Sequence, residues 1–420
     1  MGAPSVVVIG AGQGGAETAA ALRSRGFSGR ITLVGAEDAL PYQRPPLSKG
    51  YLTGSTPADE LDLRPRSFYE AQDIELITGT PVTELDPGGQ RVTLARGGGR
   101  GVRLRYDHLV LATGARPRVL PLPGASLAGV HTLRDLRDAL ALRAELRPGA
   151  HLLVVGAGFV GLELASTARL LGLEVTVVEA GARVMERSAS AALAEHLTAE
   201  HRARGTRILT RREVLALHGD GTGRVRVAEL DGGERVAADV VVMGVGVLPR
   251  TELAADAGLP VGDGVLVDAT LRTADRSVYA IGDCARFPSP HAGRPLRLES
   301  VQNASDQARS VAGAICGDAP GPYAAVPWFW TEQCGLRVQL AGITAGHDRT
   351  VVSGDVAGRR FSVFCFAGDR LLGTESVNRP ADHMITRRLL AEGGEALPGP
   401  AEVARPDFDL KAYQRARQPQ

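Results

Sequence analysis

Val6-Val-Val-Ile-Gly-Ala-Gly-Gln-Gly-Gly15 and, further along, Leu152-Leu-Val-Val-Gly-Ala-Gly-Phe-Val-Gly161 are two copies of one pattern. In each, a short run of β-branched and aliphatic residues reads as a strand buried on both faces. Three spaced glycines follow, and then a helix, Ala16 to Arg25 in the first copy and Leu162 to Leu171 in the second. In such a turn the first glycine makes the bend, the second lets backbone approach a pyrophosphate, and the third lets the helix pack closely. Phosphates then sit at the positive end of the helix dipole. A second strand follows in both copies, Arg30-Ile-Thr-Leu-Val34 and Glu174-Val-Thr-Val-Val178, with an acid just beyond it, Glu37 and Glu179. An acid there accepts hydrogen bonds from a ribose diol. One glycine match carries little weight in a chain with 52 glycines in 420 residues. The full order of strand, glycine loop, helix, strand and acid, found twice, implies two bound nucleotides.

Around these units the chain reads as a duplicated α/β design with two Rossmann-like domains. Pro81 to Leu85, Arg91 to Ala95 and Val102 to Tyr106 suggest an antiparallel meander, and Leu109-Val-Leu-Ala-Thr-Gly114 a returning buried strand. The order recurs behind the second unit, with Val214 to Leu217, Val225 to Leu230, Arg235 to Ala238, and then Val240-Val-Val-Met-Gly-Val-Gly246. A late strand ending in Gly282-Asp283 suggests that the second domain is inserted into the first. From about residue 321 the composition changes, and both tryptophans, Trp328 and Trp330, appear together. Strands such as Arg360 to Phe366 and a helix from about Ala381 to Ala391 predict a third domain of α+β character. The expected boundaries are residues 1–114 with 247–320, residues 115–246, and residues 321–420.

Composition narrows the chemistry. A formal charge of +1 provides no global field for nucleic acid or an acidic membrane. No stretch approaches the roughly 20 apolar residues of a membrane span, and the N-terminus lacks the basic region of a signal peptide, so a cytoplasmic location is expected. Cys284, Cys316, Cys334 and Cys365 are far apart with no Cys-x-x-Cys pair. That argues against a redox dithiol and against a cysteine-bound metal; no metal site is expected. Of 48 basic residues only Lys49 and Lys411 are lysine.

Seven stretches carry a resemblance: Pro41-Tyr-Gln-Arg-Pro-Pro-Leu-Ser-Lys49, Ala112-Thr-Gly114, Gly161-Leu-Glu163-Leu-Ala165, Ala280-Ile-Gly-Asp-Cys-Ala285, Glu299-Ser-Val301, Pro327-Trp-Phe-Trp330 and Val377-Asn-Arg-Pro380. Through them the chain resembles the FAD-dependent NADH:ferredoxin reductases of bacterial oxygenase systems, the family of putidaredoxin reductase and the biphenyl dioxygenase reductases. The resemblance implies a glutathione-reductase-like FAD/NAD(P)-binding fold with a C-terminal domain. It places FAD on the first glycine loop (Gly10, Gly12, Gly14, Gly15), with Glu37 on the adenosine ribose. It places Arg44, Lys49, Val82, Ala112, Thr113, Gly114, Arg134, Gly282, Asp283 and Val301 around the same cofactor, Lys49 near flavin N5. NADH is implied on Gly156, Gly158, Phe159, Val160, Gly161 and Gly246, with Glu179 on its ribose. Glu163 is implied near the nicotinamide, paired with Lys49, so that Lys49 and Glu163 are the catalytic candidates. Trp330 is implied to cover the flavin.

Plainer readings stand beside several of these. Arg44 also suits a loop-packing salt bridge, Glu163 suits a helix N-terminus, Gly282-Asp283 suits a turn, and Trp330 suits a core. Arg183, close after Glu179, bears on the choice between NADH and NADPH. Arg64 and Arg309 match positions that face an acidic partner, though either also reads as a solvated arginine. The implied partner is a two-iron two-sulfur ferredoxin serving a monooxygenase or ring-hydroxylating dioxygenase, docked partly through the C-terminal domain. A rubredoxin reductase and a redox-sensing flavoprotein resembling apoptosis-inducing factor are the alternatives. Two departures from the family pattern are Arg250, where an asparagine is common, and Cys334, where an aromatic is common.

Overall fold

The computed structural model describes residues 4–95, 101–319, 321–394 and 397–417. The expected domain limits at residues 1, 320 and 420, and the first three residues of the N-terminus, lie outside the described residues. The chain divides into two compact units, one of residues 1–43, 58–116 and 248–325, the other of residues 44–57, 117–247 and 326–420.

The first unit is built on a five-stranded parallel sheet. Strand Ser5–Ile9 pairs on one side with Arg30–Val34, which pairs with Ile74–Ile77. On its other side it pairs with His108–Leu111, which pairs with Val278–Ala280. Val6, Val7 and Val8 are fully buried, as a strand covered on both faces requires. Helix Gln13–Ser24 and helix Val301–Ile315 pack on one face through Ala19, Leu22, Ala308 and Val311. The meander Val82–Asp86, Arg91–Leu94 and Val102–Arg105 is antiparallel, as its pattern predicts.

The second unit repeats the scheme. Its parallel sheet runs in the order Arg207–Thr210, Glu174–Glu179, His151–Val155, Val240–Met243, Val130–His131. Helix Phe159–Leu170 lies across it, and a second meander follows from Val214–Gly219 to Arg235–Ala237. Residues 326–420 add a five-stranded antiparallel sheet, with Trp328–Gln333 at one edge and Arg349–Asp355 at the other. Helix Pro380–Glu392 covers Phe364, Phe366 and Leu371 with Ile385 and Leu389.

Both dinucleotide helices begin three residues before their expected starts, at Gln13 and Phe159. The last glycine of each loop already belongs to the first helical turn. Among the described residues no helix is long and apolar enough to cross a membrane.

Candidate functional site

The two glycine loops lie where a doubly wound sheet leaves a crevice, beyond the carboxyl ends of the strands at the point where strand order reverses. In the first unit that point is between Ser5–Ile9 and His108–Leu111. Gly10 has φ +108°, and a Cβ there would stand 2.1 Å from the carbonyl oxygen of Ala112. The loop therefore crosses the end of the neighbouring strand in a way no other residue permits. A Cβ on Gly15 would fall 1.9 Å from the Gly10 oxygen, and one on Gly14 would touch Ile281 and Ala304. Gly12 is different: nothing lies within 4 Å of the position its Cβ would take. It is also the N-cap of helix Gln13–Ser24, and it has no side chain to satisfy the first N–H groups. Open space in front of uncapped helix N–H groups suits a phosphate.

The second unit reproduces three of these glycines, with Val160 at the place of Gly14. Gly156 has φ +101° with Gly244 oxygen 2.6 Å from its would-be Cβ, Gly161 packs against Gly156, and Gly158, the N-cap of Phe159–Leu170, again faces open space. The glycine cradles therefore fit two dinucleotides. Phe159 packs on Phe329 with ring centroids 4.3 Å apart, whereas Val160 is exposed.

The acids are held differently. Glu179 ends its strand, and its carboxylate accepts from Ala157 N and Gly181 N, both at 2.7 Å. Each oxygen has a second acceptor site to offer a diol. Glu37 lies three residues past the end of its strand and accepts from the Tyr42 hydroxyl at 2.5 Å. Arg183, four residues beyond Glu179, donates to the carbonyls of Ala189 and Glu186.

Several implied flavin contacts sit around the first cradle. Ala112 N donates to Ile9 O, Thr113 Oγ1 to Arg250 O, and Arg250 N to Gly114 O. Arg250, the departure from the family pattern, thus joins this loop through its backbone. Gly282, at φ +70°, donates to Gln307 Oε1 at 2.7 Å, and the Asp283 carbonyl accepts from Arg297. Val301 opens helix Val301–Ile315 behind the Ser300 cap, and Val82 opens the meander. Cys284 is buried beside them, its thiol pushed up by burial and donating to Leu111 O and Ile281 O. All four cysteines are free thiols.

Lys49, Glu163, Arg44, Arg134, Gly246 and Trp330 belong to the second unit. Arg44 donates to the Arg134 carbonyl at 2.6 Å. Gly246, at φ +100°, accepts at its carbonyl from Arg118 N. Lys49 Nζ donates to Glu163 Oε2 at 2.7 Å and to Pro45 O at 3.1 Å. Ser48 Oγ donates to the same Glu163 oxygen at 2.7 Å. The other oxygen accepts from Thr331 Oγ1 at 2.6 Å and from Glu332 N at 3.3 Å. Four donors fill a buried carboxylate completely. Trp330 stacks beside Trp328 and Phe329 at one edge of the C-terminal sheet. Cys334 and Gly335, both at positive φ, form the tight turn after this strand, and Cys334 N donates to Ser166.

In the first unit Arg64 and Arg309 both reach Glu17, at 3.2 and 2.9 Å, and Arg309 also pairs with Asp306. Sequence reading missed Ser48, Thr331, Tyr42 and Glu17. Ser48 adjoins Lys49 inside a recognised stretch and Thr331 adjoins Trp330, but nothing in the sequence links one stretch to the other.

Residues 4–308 match the pyridine nucleotide-disulphide oxidoreductase family and residues 328–414 the reductase C-terminal family. Rhodocoxin reductase of Rhodococcus erythropolis is 48% identical over 97% of this chain and 93% of its own length. A ferredoxin reductase structure from Rhodopseudomonas palustris is similar at a TM-score of 0.93 and 43% identity, covering 97% of this chain and 99% of that one. The putidaredoxin reductase of a covalent putidaredoxin reductase–putidaredoxin complex is similar at a TM-score of 0.94 and 37% identity, with both chains covered in full. The chain belongs to the pyridine nucleotide-disulphide oxidoreductase family, among its ferredoxin reductases with a C-terminal reductase domain, and is an oxidoreductase whose cofactors are FAD and a nicotinamide dinucleotide.

Proposed function

We propose that this chain is an NADH-dependent reductase of a two-iron two-sulfur ferredoxin that serves an oxygenase. The observation that carries the reading is the doubled cradle, each with its own acid, together with a lysine paired to a buried glutamate. In this reading residues 1–114 and 247–320 hold FAD, residues 115–246 hold NADH, and residues 321–420 contribute Trp330 and part of the partner surface. FAD held there would supply the chemistry of taking up a hydride pair and giving electrons out one at a time.

The protein's own groups hold and orient. Gly12 and Gly158 leave helix N–H groups open for the two pyrophosphates, and Glu37 and Glu179 accept from ribose hydroxyls. Glu179 favours NADH because a fixed carboxylate repels a 2'-phosphate, and Arg183 is turned toward the carbonyls of Ala189 and Glu186. Lys49 supplies a fixed cation and Glu163 aims it. Among the described residues two of the three Nζ protons of Lys49 go to Pro45 and Glu163, which leaves one for a ligand. Arg64 and Arg309 present positive charge to an acidic partner, steadied by Glu17. The names of the relatives, rhodocoxin, putidaredoxin and ferredoxin reductases, support a small electron-carrier protein as the acceptor.

Stopped-flow mixing of NADH-reduced protein with two-iron two-sulfur ferredoxins from the same genome tests this. Reduction of one of them well ahead of a free dye is expected. If every ferredoxin lags the dye, the assignment fails; slow turnover with a persistent reduced complex would favour a sensor.

A further inference from the structure

Glu163 ends a buried chain of hydrogen bonds that crosses three elements of the second unit. His201 lies on helix Ala191–Ala203, Gln333 and Thr331 on strand Trp328–Gln333, and Glu163 on helix Phe159–Leu170. Their exposures are 0%, 2%, 0% and 5%. His201 Nε2 is 2.8 Å from Gln333 Oε1, Gln333 Nε2 donates to Thr331 Oγ1 at 3.2 Å, and Thr331 Oγ1 donates to Glu163 Oε1 at 2.6 Å.

The direction of every bond follows from the acid. An ionised carboxylate only accepts, so the single Thr331 proton goes to Glu163. The Thr331 oxygen must then accept from Gln333, which turns the amide nitrogen toward it. The amide oxygen therefore faces His201, which needs its proton on Nε2. Burial holds the His201 pKa down, which favours the neutral ring. Its Nδ1 has no partner among the described residues, as expected if the proton sits on the other nitrogen. Aligned donors of this kind polarise one another.

We infer that His201, Gln333 and Thr331 form a positioning relay that holds the Glu163 carboxylate, and through it the Lys49 ammonium, in one orientation. The relay rests on the proposed role of Lys49 beside the flavin. It moves no proton or electron. It removes the rotational freedom of Glu163, so that Oε2 stays with Lys49 and Ser48 while Oε1 is occupied by Thr331 and Glu332 N.

The test uses the FAD-loaded full chain and the variants Thr331→Val, Thr331→Ser and Gln333→Met. Flavin reduction at saturating NADH, NADH affinity and flavin midpoint potential are measured, with ¹⁵N-histidine NMR of His201 as a readout independent of turnover. Thr331→Val is expected to slow flavin reduction about tenfold, the worth of one hydrogen bond to a charged group. NADH affinity should stay within about twofold, since Thr331 is no part of the cradle. Thr331→Ser should restore both rate and potential, and Gln333→Met should release the His201 tautomer while slowing reduction less. A wild-type rate and potential in Thr331→Val, or no rescue by serine, overturns the relay. So does an Nδ1–H tautomer of His201 in the wild type, whatever the kinetics. Normal flavin reduction in Lys49→Met would instead sink the role of Lys49, leaving the tautomer result to judge the relay.

Discussion

Replacing Gly12 and Gly10 separately by alanine should split binding from folding, although the two lie in one loop. Gly12 has extended backbone, φ −85° and ψ −163°, which alanine adopts freely, and its Cβ would meet nothing within 4 Å. For the free chain the change costs at most about 1 kcal/mol, the difference between glycine and alanine at an N-cap. If a pyrophosphate lies in that open space, the new methyl displaces it from the helix N–H groups. Losing one or two charge-assisted hydrogen bonds at about 1.5–3 kcal/mol each weakens FAD by about 10- to 10⁴-fold. Gly10→Ala meets the opposite situation, with φ +108° and a backbone oxygen 2.1 Å away that no rotamer change can move. Strain and overpacking together cost about 3–5 kcal/mol, or roughly 10 °C in the midpoint of the unit. Thermal unfolding of the apoprotein and quenching of flavin fluorescence on titration read the two effects. The reasoning is refuted if Gly12→Ala keeps wild-type FAD affinity, or if its apoprotein unfolds as early as that of Gly10→Ala.

The second cradle and the lysine pair allow parallel tests. Glu179→Gln removes the charge while keeping an amide oxygen for one of the two loop N–H groups, and should narrow the kcat/KM preference for NADH over NADPH by about 10- to 100-fold; an unchanged ratio counts against the ribose assignment. Lys49→Met leaves Glu163 with Ser48, Thr331 and Glu332 N as donors, so NADH should still bind while flavin reduction slows by about 10-fold or more. Normal stopped-flow traces would remove Lys49 from the mechanism. Glu375 is fully buried, accepts from Ser190 N, Ser190 Oγ and Thr344 Oγ1, and has its pKa raised by burial. Because the folded state holds this proton more tightly, its stabilising contribution is complete below the ordinary glutamate range and is lost as pH rises through the raised value. Glu375→Gln should therefore raise the melting temperature relative to wild type at pH 8 but not at pH 4, and an equal difference at both values would exclude this linkage.

The sequence determined those parts of the protein that form between near neighbours. A glycine loop, the strand before it and the helix after it are contiguous, so Gly10 to Gly15 and Gly156 to Gly161 declare their geometry locally. Glu179 is only 22 residues from Ala157, its hydrogen-bond partner, and one parallel pairing of adjacent strands brings them together. Tertiary structure alone decided what surrounds the acid Glu163. Its four donors come from Ser48, Lys49, Thr331 and Glu332, separated from it by 115, 114, 168 and 169 residues. A serine and a threonine carry no periodic signal, and any of many would serve if the fold brought it near. The same holds for Arg64 and Arg309, whose link through Glu17 spans 47 and 292 residues. Local spacing specifies where phosphates can sit, because backbone N–H groups and glycine freedom are local properties. The orientation of a buried charge depends on which distant donors packing delivers to it, and that becomes definite only in the folded chain.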